Sequence, residues 1–134
     1  MNDKVEKDAS KFDWVTARSS CSLPKIFKAL RLQVEEDVKI RNALRPNNSP
    51  YEFSVKENGG DFTVLVEAEA VRRSVVFSLA EHAILVRDDT GNKMLEVTLT
   101  FNDEGECELN VNEHKLDLWQ VRRLSLEKLF FHAN

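Results

Sequence analysis

The chain of 134 residues holds only two cysteines, three prolines, four glycines and three histidines, and each shortage closes off a class of protein. So few glycines and prolines exclude collagenous and low-complexity chains. Cys21 and Cys107 stand far apart, with no CxxC spacing and no flanking histidine, so a zinc knuckle is not expected. Both are expected to be reduced structural thiols, with Cys107 directed into a core by its alternation with Glu106 and Glu108. No apolar run approaches the roughly 20 residues that a membrane-spanning helix needs. Met1 to Lys11 is charged and lacks the apolar stretch of a secretory leader. The expected location is cytoplasmic.

What is present suits one folded domain. The composition is 42% apolar and 31% charged, and a chain of this length buries roughly 68% of its unfolded surface. Residues 1–11 (MNDKVEKDASK) are polar and aperiodic and are expected to form a disordered tail, leaving 12–134 as a single domain. The net charge of −4 is unevenly spread. Residues 18–45 carry seven bases and three acids, whereas 46–117 carry six bases and 15 acids. An acidic middle repels phosphate, so neither nucleic acid nor a membrane surface is an expected partner.

Hydrophobic periodicity gives the architecture. Leu23, Ile26, Phe27, Leu30, Val34 and Val38 recur at spacings of three and four, behind the N-cap candidates Ser20 and Ser22 and with Pro24 in the first turn. That pattern predicts an amphipathic helix, which Pro46 forces to stop by Arg45. From Tyr51 the period falls to two. Alternating runs at 51–56, 62–69, 71–79, 83–87, 95–101 and 107–111, with a short one at 115–117, are separated by turns such as Asn58-Gly59-Gly60-Asp61 and Asp88-Asp89-Thr90-Gly91-Asn92. Connections of two to five residues cannot hold parallel crossovers, so the strands must form a meander. Asp117 and Gln120 have capping-box spacing, and a helix is expected from there to about Phe131. Ser125 is an alternative cap for a shorter helix. The expected fold is therefore α+β: an N-terminal helix, an antiparallel meander of six to seven strands forming a curved sheet or half-barrel, and a C-terminal helix packed on one sheet face. Glu52, Glu67, Glu69, Glu96, Glu106 and Glu108 are assigned to a solvated opposite face.

No motif assigns chemistry. His82 and His114 fall in turns without a neighbouring nucleophile or a metal-ligand spacing, and His132 is close to the C-terminal end. Asp88-Asp89 lacks the rest of a calcium loop, and Asx-rich turns form for backbone reasons. Arg72-Arg73 is a weak phosphate site. No catalytic residue, metal or cofactor is nominated, and the pattern weighs against an enzyme. Leu118, Val121, Leu124 and Phe131, with Trp119, Leu126, Leu129 and Phe130, cover more than half of the last helix. That surplus points to a non-catalytic protein-binding or adaptor module, with Leu126, Phe130, Arg122 and Arg123 as the surface for a protein partner or for self-association as a homodimer. The alternative is a carrier of, or enzyme acting on, a small apolar ligand, with a pocket between helix and sheet lined by Trp14, Phe27, Phe53, Phe62, Phe77 and Trp119.

Overall fold

A computed structural model of the chain describes residues 11–68 and 70–132. Residues 1–10 of the expected tail, and Glu69, lie outside that range. Two N-terminal helices, α1 (Trp14–Ser20) and α2 (Leu23–Ala43), precede seven strands: β1 (Phe53–Asn58), β2 (Asp61–Ala68), β3 (Val71–Leu79), β4 (Ile84–Asp88), β5 (Lys93–Phe101), β6 (Cys107–Val111) and β7 (His114–Leu116). Helix α3 (Leu118–His132) closes the chain. The strands pair antiparallel in sequence order, β1 to β7, as an open sheet.

Helix α2 forms for the reasons its sequence advertises. The Ser22 side chain accepts from the Lys25 N–H at 3.3 Å, Pro24 occupies the first turn, and Phe27, Leu30, Val34 and Val38 are buried. Helix α1 is an addition to the expected architecture. Asp13 caps it, accepting from the Thr16 N–H at 3.0 Å and the Thr16 hydroxyl at 2.6 Å, but none of its residues is buried. At α3 the Gln120 side chain accepts from the Asp117 N–H at 2.7 Å, the backward half of a capping box. Ser125 lies inside this helix, fully buried, its hydroxyl donating to the Val121 carbonyl at 2.8 Å. The long form of the helix therefore stands.

Alternation sorts each strand into two faces. Phe62 opposes Phe77, which opposes Val86; Phe53 opposes Val66, Val64 opposes Val75, and Ile84 opposes Val97. This face packs against Leu30 and Val34 of α2 and Val121, Leu126, Leu129 and Phe130 of α3 in one core. Strand β5 joins two halves of the sheet, pairing with β4 through residues 93–97 and with β6 through 98–101. The open edge of β1 is blunted by Asn42, whose side chain donates to the Phe53 carbonyl at 2.8 Å and accepts from its N–H at 2.9 Å, a capped edge being less prone to pair with another chain.

The cysteines are not free thiols. Cys21 and Cys107 form a disulfide, with Cα atoms 5.4 Å apart. Cys21 sits between α1 and α2 and Cys107 opens β6, so the bond fastens the start of the helical layer to the far half of the sheet. Nothing local marked the pairing, because the two residues are 86 positions apart, with five strands between them whose stacking alone brings them together. Nor is Cys107 in the core: its alternation with Glu106 and Glu108 gives it the inner face, but at the exposed first position of the strand.

A candidate docking groove on the helical layer

The six aromatic residues expected to line a pocket do not come together. Phe27, Phe53, Phe62 and Phe77 are buried in the core, with Phe62 stacked on Phe77 at 4.6 Å between ring centroids and Phe27 tilted against Phe62 at 5.2 Å. Phe27, Phe62 and Phe77 fill the space between helix and sheet with each other, and Phe53 packs edge-on against Phe130 at 4.9 Å, the dense packing usual of interiors. Trp14 is exposed on α1, and Trp119 faces outward from α3.

The expected partner surface is also rearranged. Leu126 and Phe130 are buried beneath α3, and Arg122 is half-buried against α2. The outer surface is built instead from residues that the α2 core stripe does not use. Ile40 (51% exposed) of α2 and its C-cap Leu44 (73%) stand opposite Trp119 (52%) and Phe131 (62%) of α3. Between them runs an open groove of ≈ 340 Å³, floored by Leu126 and Phe130. Ile40 and Leu44 had a readable signal, being apolar residues out of phase with the Phe27, Leu30, Val34, Val38 stripe.

Arginines frame this groove. Arg122 donates from Nε to Asp37 Oδ2 at 2.7 Å, joining the two helices, and also bonds the Gln33 side chain. Arg41 donates from Nε to the Phe130 carbonyl at 2.9 Å. Its guanidinium lies 5.2 Å from the Phe53 ring centroid and 5.3 Å from that of Phe131, the geometry of a cation–π contact. Arg123 is exposed, 3.4 Å from Glu127 on the next turn. The lining thus holds three arginines and one carboxylate.

Elsewhere the candidate chemistry is occupied by structure. Asp88 Oδ1 accepts from the Thr90 N–H, the Thr90 hydroxyl and the Asn92 N–H at 2.7–3.0 Å, so the carboxylate organises its own turn. The Thr90 hydroxyl bond holds the Asp88 carboxyl below its ordinary value. Arg72 and Arg73 alternate on β3 and so project to opposite faces. The acids assigned to the outer sheet face are interleaved with bases: Glu67 is 3.9 Å from Arg72, Glu96 is 2.7 Å from Lys93, and Glu108 is 3.6 Å from Lys115. Glu106 and Glu108 share the Asn102 amide as donor, at 3.2 and 2.8 Å. His82 and His114 are exposed. Among the described residues no group of histidine, cysteine and carboxylate side chains is arranged to hold a metal ion, and no helix is long and apolar enough to cross a membrane. Comparison with family models, with curated proteins and with solved structures finds no match to this chain.

Proposed function

We propose that this chain is a non-catalytic protein-binding module that docks a segment of another protein on the outer face of α2 and α3. The observation that carries the reading is the cluster of Ile40, Leu44, Trp119 and Phe131, all more than half exposed around one groove. Large side chains gathered on one face and rimmed by charge are the usual mark of an interaction site. Self-association is the less favoured occupant. A two-fold interface sets the same patch against itself and would oppose one arginine-rich rim to another. A small apolar ligand is less favoured too, because the groove is open and the interior between helix and sheet is filled by phenylalanines.

The cytoplasmic location expected from the sequence is set against the Cys21–Cys107 bond. Disulfides persist where thiols are oxidised, and this supports a working compartment more oxidising than the cytosol. Trapping the thiols of the protein in its native cells by alkylation, followed by mass measurement, decides between the two.

Selection of a displayed random-peptide library on the folded protein tests the docking reading. Peptides are expected to be enriched that bind the parent and fail to bind Leu44→Asp, with the variant's melting temperature unchanged. No enrichment, or binders indifferent to Leu44→Asp, removes the reading.

A further inference from the structure

The groove's shape and charge narrow the class of partner, in an argument that rests on the docking reading above. The groove lies between two helices, and its α3 wall runs from Trp119 to Phe131. At a rise of 1.5 Å per residue that wall is about 18 Å long, a little over three helical turns. An apolar trough between helices accepts a third helix through residues spaced i, i+4 and i+7. A strand would instead need a free sheet edge, and here both walls are helices whose backbone groups bond internally. The charge is one-sided as well. Arg41, Arg122 and Arg123 line the groove against one acid, Asp37; the 2.7 Å pair between Asp37 and Arg122 cancels both charges and leaves Arg41 and Arg123 as the cations offered to a partner. Arg123 is the most open of the three, 3.4 Å from the exposed Glu127 of its own helix. A partner whose polar flank is acidic meets these cations. A basic partner meets repulsion, the ordinary means by which charge selects among otherwise similar apolar helices.

We infer that the groove takes an amphipathic helix of about three turns, with apolar residues on one face and glutamate or aspartate flanking them. Trp119 sits in the wall and reports occupancy by its fluorescence once Trp14 is replaced by Phe. Three synthetic peptides serve as probes: a 14-residue helix with a leucine and phenylalanine face flanked by glutamates, the same peptide with lysine for every glutamate, and the glutamate peptide with its apolar positions scrambled.

The glutamate helix is expected to bind at least ten-fold more tightly than the lysine helix at low salt, with the gap narrowing as salt screens it. The scrambled peptide should not bind, and Arg123→Glu should erase most of the gap while leaving the fold intact. Equal or tighter binding of the lysine helix overturns the acidic preference. So does failure of both helices when library peptides still bind in a Leu44-dependent way, a result that keeps the docking reading. Failure of every peptide, library included, removes both. A homodimer that Leu44→Asp dissociates would show that a second copy fills the groove and would overturn the inference.

Discussion

At the scale of single residues, two positions carry more of the fold than their size suggests. Gly105 turns the chain between β5 and β6 with φ +80°, and a Cβ built there would lie 2.6 Å from the Phe12 ring. A side chain therefore meets both the left-handed backbone penalty and a ring that must shift. Gly105→Ala is expected to lower unfolding stability by about 1–3 kcal/mol, read from urea melts. Adding Phe12→Ala should return the part due to the clash, so the two changes will not add. Asp13 offers a second test, through pH. Its carboxyl is held below its ordinary value chiefly by the Thr16 hydroxyl bond, then by the Thr16 N–H. A group whose folded pKa is depressed stabilises above its unfolded pKa of about 3.9, and that contribution is lost as the pH falls through the folded value. Thr16→Val should move the Asp13 titration, followed by NMR, upward toward the ordinary carboxylate value, with fraying of α1 starting at a higher pH.

The elements differ in how far they could be read in advance. Helix α2 was fully legible because cap, first-turn proline, apolar stripe and terminating Pro46 all agree, and the meander was legible because its turns are too short for any crossover. Helix α1 was not. Seven residues with none buried carry no periodic stripe, and so short a helix is marginal without tertiary support. Its support is the Phe12 ring on the Gly105 turn, Arg18 with its guanidinium 5.9 Å from the Phe101 ring centroid, and the disulfide just beyond its end. The disulfide was illegible for a related reason, since only the assembled sheet places β6 beside the start of α2. Closing a loop across 86 positions is worth about 4.5 kcal/mol in the chain-entropy account. Cys21→Ser with Cys107→Ser, or reduction of the parent, should cost a substantial part of that in a urea melt. Because α1 buries nothing of its own, hydrogen exchange should then show its amides opening far more readily while those of α2 keep their protection in proportion to the global loss.

Across the whole molecule, the uneven charge seen along the chain becomes a division between layers. Arg41, Arg122 and Arg123 line the outer groove of the helical layer, while Glu67, Glu96 and Glu108 of the sheet are matched there by Arg72, Lys93 and Lys115. The apolar surplus in the last helix announced an outer surface without locating it, because a helix apolar over more than half its circumference does not say which part of that arc meets the sheet. Leu126 and Phe130 took the buried side, one turn apart on the face that meets the core, with the Phe130 ring 4.9 Å from that of Phe53. Trp119 and Phe131 were left outside. Function and stability should therefore separate cleanly between the two sides of one layer. Replacing an exposed side chain that nothing covers changes stability by within about 0.5 kcal/mol, whereas removing a ring from a packed core costs about 3–5 kcal/mol. Ile40→Asp and Leu44→Asp are expected to leave the urea midpoint almost where it was and to abolish groove-dependent peptide binding. Phe77→Ala, whose ring is fully buried and stacked on Phe62, should shift the midpoint sharply downward, yet at low urea its folded fraction should bind groove peptides with the parent's affinity. If instead Leu44→Asp unfolds the chain as Phe77→Ala does, the outer face belongs to the structural core and its exposed side chains are not a docking surface.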